Sequence, residues 1–365
     1  MRLIDKIKKM GSLLILSTCC LTSCNFLDVV PPEQAGLGDA VKKPESTLGF
    51  LYSCYAGIKG SSNPITYTGM EAASTDEFVF PELWGHSGQR AGWGLLTPES
   101  PGDWKWGNIY RYIGQCYLFL SQLPNALDVS EVQKREWTAE ANFLIAYYHF
   151  LILEYYGPCP ITDSYIDMDT PNNEYHGRYH FDYVTSWISM KLDEAAKDLP
   201  ASRIGSEWGR ATSTIAKAVK AQLLLLAASP LFNGNSDYIN VKDNQGRHLF
   251  PTQVDNSKWK LAADAALEAI NCAKENGHEK LYTFSLPINS ISAATRKLLD
   301  IGEAVTEKWN EEIIWGSTRN VNGLQTAAMA KHTKGNNYNA RSVLGPTLSV
   351  AEAFYSSNGV PISRR

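Results

Sequence analysis

The sequence predicts a mainly all-α fold of stacked helix pairs of tetratricopeptide type, with long irregular loops and minor β-hairpins. Apolar residues recur at helical spacing in successive segments of about 15 to 20 residues, and Pro or Gly closes most of them. One segment, Trp137 to Pro160, is apolar on two faces. Trp137, Ala141, Leu144, Tyr148, Leu151 and Tyr155 alternate steps of four and three along one stripe, and Phe143, Tyr147 and Phe150 form another. Such a helix must be covered on two sides, so it is expected at the centre of the stack. Gly157 can adopt a positive φ and Pro158 cannot continue the helix, which marks its end.

The chain opens with a segment outside the fold. Arg2, Lys6, Lys8 and Lys9 form a basic start, followed by an apolar run from Gly11 to Leu21. That run is far shorter than the roughly 20 residues of a membrane span, so residues 1–23 are expected to be an export signal. They lead into Leu21-Thr22-Ser23-Cys24, which resembles a bacterial lipobox, and Cys24 is the expected lipidation site. An ordinary signal peptide with an incidental cysteine is the alternative. Residues 24–43, with Pro31 and Pro32, are expected to be an extended tether, and 44–365 the helical domain.

The domain begins with a helix from Pro44 to Gly57, with Leu48, Leu51, Tyr52 and Tyr55 on one side. Between Gly60 and Asp103 no long periodicity survives. Thr75-Asp76-Glu77, Trp84, His86, Arg90 and Trp93 lie there among Gly and Pro, and a connection of this length is usually functional or disordered. Its aromatics argue against disorder. Trp106, Ile109, Tyr110, Ile113, Tyr117 and Leu120 restore a helical stripe, stopped by Pro124. After the central helix comes one from Phe181 to Leu199, with Val184, Ile188, Leu192, Ala195 and Leu199 in register. Thr212 or Ser213 can cap the next, which carries Ile215, Val219, Leu223 and Leu226 and ends before Pro230. Tyr238 to Phe250 reads as a small hairpin or loop excursion. Lys258 to Ala273 is again helical, with Ala262, Ala266, Ala269 and Ala273 beside Trp259, small residues that let a neighbouring helix approach closely.

A net charge of −4 with 20% charged residues gives no basic field for nucleic acid. Of seven cysteines, Cys54, Cys116, Cys159 and Cys272 lie beyond the signal and Cys24, and their spacing matches no zinc motif. Buried free thiols are expected, although an exported chain permits disulfides. No HExxH, GxSxG, P-loop or GxGxxG element is present. His176 and His180 sit in a polar loop and are expected to be solvated rather than metal-bound. Asp243-Asn244-Gln245-Gly246 lacks the later acidic ligand of a calcium loop and reads as a turn. No cofactor, metal or catalytic residue is assigned.

Several segments together carry a resemblance. Cys24-Asn-Phe-Leu-Asp-Val-Val-Pro-Pro32, the helix from Glu140 to Pro160, Gly209-Arg210-Ala211-Thr212 and Phe232-Asn233-Gly234 occur in the order seen in the SusD/RagB family of bacterial outer-membrane lipoproteins. Lys242 to Phe250, Trp259 to Ala266, Asn310 to Trp315, Gly345-Pro346-Thr347 and Phe354 to Pro361 continue that order. Asn142 and Ile145 stand where the family usually has arginine. Family members also continue beyond the last of these segments, so the chain is expected to be C-terminally truncated. The resemblance implies a cell-surface, lipid-anchored protein of the outer membrane that binds oligosaccharides, or peptides in some members. It also implies delivery to a partner TonB-dependent transporter of the SusC-like kind. A surface glycoside hydrolase is the alternative, and would need two carboxylates about 5 to 10 Å apart.

Sugar rings present flat C–H faces that stack on Trp and Tyr, while polar side chains bond their hydroxyls. Ten Trp and eighteen Tyr supply such platforms. The candidate ligand-binding residues are Asp76, Trp84, Arg90, Trp93, Trp309 and Tyr338, with Trp315, Asn336, Asn337 and Asn339 of similar makeup nearby. Trp106, Trp137 and Trp259 lie in helical stripes and are expected in the core. Packing and display are both open for Trp84 and Trp93, and at least one is expected to be exposed, with Asp76 and Arg90 beside it.

Overall fold

The computed structural model describes residues 36–58, 74–79, 87–97, 99–100, 105–167, 169–171, 174–278, 280–285, 291–316 and 345–354. Trp84, His86, Tyr338, Asn336, Asn337, Asn339 and Cys24 lie outside these residues, as does the export signal. The described part is mainly helical. Helix α1 spans Pro44–Tyr55, the short α2 Ser87–Gly92, α3 Lys105–Gln122, α4 Glu131–Tyr156, α5 Phe181–Asp198, α6 Ser213–Ala228, α7 Ser257–Glu275, α8 Ala293–Thr306 and α9 Leu348–Glu352. From α3 to α7 each helix packs on the next, and α1 lies on α3 and α4, which is the expected stack.

Helix α4 is its axis. Every residue from Phe143 to Leu153 is buried, so both apolar stripes are covered, by α3 on one side and α5 on the other. Each fully buried Leu, Ile or Phe contributes about 1.5–3 kcal/mol relative to exposure, and among the described helices this one buries the most residues. It begins at Glu131, earlier than its apolar stripe, because Ser130 and Gln133 form a reciprocal capping box. It ends at Gly157, whose φ of 67° leaves the helical region.

The other helices follow their stripes. Val184, Ile188, Leu192, Ala195 and Leu199 are all buried, and Thr212 caps α6 by accepting from the Ile215 amide at 3.2 Å. On α1 the buried face is Thr47, Phe50, Leu51 and Cys54, and Tyr52 is 43% exposed rather than inward. Trp137 is buried and Trp106 packs partly buried against the core. Trp259 is a correction: it is 45% exposed, because Ala262, Ala265, Ala269, Cys272 and Ala273 form the face of α7 that meets α6. Cys54, Cys116, Cys159 and Cys272 are buried and free. Packing begins within the stretch read as a tether, since Leu37–Val41 forms a 3-10 turn whose Val41 is buried.

Strand pairing joins distant segments. Strand β1, Phe78–Val79, runs antiparallel to β2, Gly345–Pro346. Thr347 extends this link, its amide donating to the Glu77 carbonyl at 3.0 Å and its hydroxyl to that of Asp76. The excursion before α7 is hairpin-like, closed by a bridge between Lys242 and His248.

A buried ionic cluster ties α4 to α1 and to the α5–α6 connection. The fully buried Glu140 accepts from Arg203 Nη2 at 2.9 Å, from Arg210 Nη2 and Nε at 2.5 and 3.1 Å, and from the Tyr55 hydroxyl. Arg203 also pairs with Glu136 at 2.6 Å, and Glu207 with Arg210 at 2.5 Å. The Tyr55 oxygen accepts from the Ala211 amide at 2.9 Å. Burial, and then the charge of Glu140, push the Tyr55 phenol well above its ordinary range, so it stays a donor. Every acceptor of the carboxylate is used, which is what makes a buried charge tolerable.

Two outcomes follow for stability. Glu140→Ala removes the fully buried carboxylate and leaves Arg203 and Arg210 only the more exposed Glu136 and Glu207, and urea unfolding is expected to show a loss of about 3 kcal/mol, the low end for breaking a buried pair. His149 provides the second. It is buried, bonded through Nδ1 to the Ile145 carbonyl at 2.8 Å, and its Nε2 accepts from the Thr162 amide at 3.1 Å. Burial lowers its pKa to about 4, so it folds neutral. The unfolded chain takes up a proton below about pH 6.5, so stability falls as pH drops from there toward 4. Between pH 7 and pH 5 unfolding free energy is expected to fall by about 2 kcal/mol more than in His149→Gln. Equal losses in the two proteins would remove His149 as the cause.

Candidate functional site

The α5–α6 connection, the turn after α7 and the segment after α8 enclose a cleft of about 280 Å3. Its aromatic wall is a pair of indoles, Trp208 and Trp309, with ring centroids 4.7 Å apart and planes inclined at 47°. Trp208 follows a 3-10 turn, Gly205–Glu207, and is 37% exposed. Trp309 adopts a φ of 58°, uncommon for a bulky residue and worth about 1–3 kcal/mol of backbone strain. The next residue holds it there. Asn310, nearly buried, donates to the Ala304 and Glu307 carbonyls at 2.7 and 3.0 Å and accepts from the Glu312 amide at 3.0 Å. Gly316 makes room for the ring, since a Cβ there would lie 3.0 Å from Trp309 Cζ3.

The cleft is fastened to the core by Trp315. Its indole N–H donates to the Gly209 carbonyl at 3.0 Å, and its ring packs edge-on against Phe143 and Tyr147 of α4 at 5.5 and 5.0 Å. Arg203 and Arg210, held by Glu140, form part of the wall. His278 accompanies them, with Nδ1 2.8 Å from the Glu311 carbonyl. Aromatic faces beside fixed polar groups suit a ligand with flat apolar faces and hydroxyls.

The remaining sequence candidates fall elsewhere. Asp76, Arg90 and Trp93 are not among the walls of this cleft. Trp93, in the turn after α2, is 52% exposed. Arg90 Nη2 donates to the Leu95 carbonyl at 3.2 Å and the Ser100 hydroxyl at 2.9 Å, so the guanidinium braces the loop that displays Trp93. Asp76 is exposed next to β1, and its carbonyl accepts the Thr347 hydroxyl. Trp315, grouped with the display residues in the sequence, is used for packing.

Sequence reasoning missed Trp208 and the whole ionic cluster of Glu140, Arg203, Arg210, Glu136, Glu207 and Tyr55. One signal was present for the cluster: Glu140 interrupts an otherwise apolar run between Ala139 and Ala141. Trp208, flanked by Glu207 and Gly209 outside any periodic stripe, carried none.

Among the described residues no helix is long and apolar enough to cross a membrane, and no group of His, Cys, Asp and Glu is placed to hold a metal ion. A SusD-like family described as starch-binding and associating with outer membrane matches residues 53–224. The solved structure of BT4246 is similar over 89% of the chain at 40% identity, with a TM-score of 0.76. A SusD-like protein from Bacteroides fragilis NCTC 9343, BF3747, is similar in fold over 90% of the chain at 18% identity, with a TM-score of 0.61. The chain covers 59% and 56% of these two proteins, less than two thirds of their length. A search of curated proteins returns no match.

Proposed function

The chain belongs to the SusD/RagB family, and on that premise we propose that it binds oligosaccharides at the outer membrane and passes them to a TonB-dependent transporter. The observation that carries the binding reading is the Trp208–Trp309 pair, a strained and braced indole couple open to a cleft. Trp93, displayed on the loop braced by Arg90, is the second platform. Asp76, exposed beside β1, serves as a hydroxyl partner. The family description, starch-binding and associating with outer membrane, supports both the ligand class and the location.

Binding without turnover fits the charges near the cleft. Glu136, Glu140 and Glu207 are each paired with arginine, so among the described residues Glu311 is the one carboxylate in the lining of this cleft outside that cluster, and the two-carboxylate arrangement of a glycoside hydrolase lacks support there. The lipobox-like segment before Cys24 supports a lipid anchor, and several acyl chains at about 0.8 kcal/mol per buried methylene hold a protein on a membrane durably.

Calorimetric titration with a panel of neutral oligosaccharides tests the site. Trp309→Ala and Trp93→Ala are each expected to weaken binding about tenfold to a hundredfold, the scale of losing one stacking platform. If neither changes affinity for any glycan that the unaltered protein binds, the platforms lie elsewhere. Fractionation tests the anchor: Cys24→Ser is expected to move the protein from the membrane to soluble fractions, and retention would refute lipidation at that residue.

A further inference from the structure

A second cleft, of about 810 Å3, lies between the loop after α4 and the hairpin-like excursion before α7. Both walls carry internal bonds that brace them. Asp243 fixes the excursion, its Oδ1 accepting from the Gln245 and Arg247 amides at 2.8 and 2.9 Å and its Oδ2 from Arg247 Nε at 2.6 Å. Phe250 anchors the base by stacking on Tyr238 and Phe181, with centroids 4.6 and 6.0 Å away. On the facing wall Arg178 donates through Nη1 to the Pro158 carbonyl, and its guanidinium carbon lies 4.8 Å from the centre of the Trp106 ring. Tyr175, 48% exposed, stands in the same wall.

The charges lining this cleft are Arg178, Lys242, Arg247 and Asp243, three cations against one carboxylate, on a chain whose net charge is −4. The one carboxylate is engaged by two backbone amides and by Arg247, so Arg178 and Lys242 are the cations it does not offset. The excess is positive and set on braced walls. A guanidinium held by carbonyls and an aromatic face is preorganised to meet a carboxylate or sulfate, and loses little entropy in doing so. Asn244 and Gln245, exposed at the tip of the excursion, add amides suited to hydroxyls.

We propose that this cleft is a second subsite, which takes the acidic sugars of an oligosaccharide, with Tyr175 stacking on a ring and Arg178 and Lys242 meeting its carboxylate or sulfate. This rests on the glycan-binding reading above and adds a charge preference to it. The volume admits more than one ring, whereas the Trp208–Trp309 cleft is smaller.

The test is calorimetric titration of the full chain with three galactose-based oligosaccharides of matched length: neutral galactan, oligogalacturonate and sulfated galactan. At low salt at least one acidic ligand is expected to bind about tenfold or more tightly than the neutral one, with the advantage shrinking as salt is raised. Comparing the two acidic ligands tells carboxylate from sulfate. Lys242→Gln, on the exposed excursion, and Tyr175→Ala are each expected to remove most of that advantage while leaving neutral-glycan affinity unchanged. Arg178→Gln is read alongside with its thermal unfolding, since it also loses bonds to the chain. Equal affinity for neutral and acidic ligands, or acidic binding untouched by Lys242→Gln and Tyr175→Ala, would overturn the subsite while leaving the Trp309 result standing. Failure of every neutral and acidic glycan to bind would overturn both readings.

Discussion

The carboxylate of Glu140 is the constraint on which the rest of the molecule depends. It sits fully buried in the central helix and is neutralised by two arginines that come from a single connection, the one between α5 and α6. A charge in that position is costly unless every lone pair is met, so the connection can adopt few other paths. Because Tyr55 joins the same carboxylate and also receives the Ala211 amide, α1 is fixed by the same group. One residue therefore sets the relative placement of three parts of the stack. The apolar burial around it supplies more free energy, but it does not direction-select in this way.

The candidate site inherits its rigidity from that arrangement. Trp208 lies between Glu207 and Arg210, both members of the ionic cluster, and Trp309 is brought to it by a segment that Trp315 pins to α4. Strain at Trp309 persists because Asn310 has three bonds that would be lost on relaxation. An aromatic platform held in this way is ordered before a ligand arrives, so little of the stacking free energy is spent on ordering it. The same logic applies to the Arg178 wall, where carbonyls and Trp106 hold a cation in place.

Family membership and geometry meet at the surfaces rather than in the core. The family resemblance runs through the helix stack and also through connections that line both clefts, Gly209 to Thr212 and Asn310 to Trp315 in one and Lys242 to Phe250 in the other, and connections are where binding groups are usually carried by a rigid scaffold. Fold alone does not select a ligand. The chemistry of these connections, paired indoles in one cleft and cations in the other, is what the proposed binding role rests on.

By itself the sequence determined helices α1 and α3 to α7, because the free energy of each is dominated by a periodic apolar face that is local in the chain; α2 and α8, which bury no such face, were not legible. Val184 to Leu199 and Ile215 to Leu223 could be placed in the core from spacing alone, as could the stop at Gly157. Local periodicity was less decisive where a helix has two apolar faces, since which one packs depends on a neighbour: Trp259 turned outward because the alanine face of α7 permits the closer approach to α6. The ionic cluster and both clefts were decided only by tertiary structure. Glu140 meets arginines 63 and 70 positions away, and Trp208 meets Trp309 from a different connection. Pairings of that range leave no periodic trace, because what makes them favourable is the meeting of distant loops that the helix stack brings together.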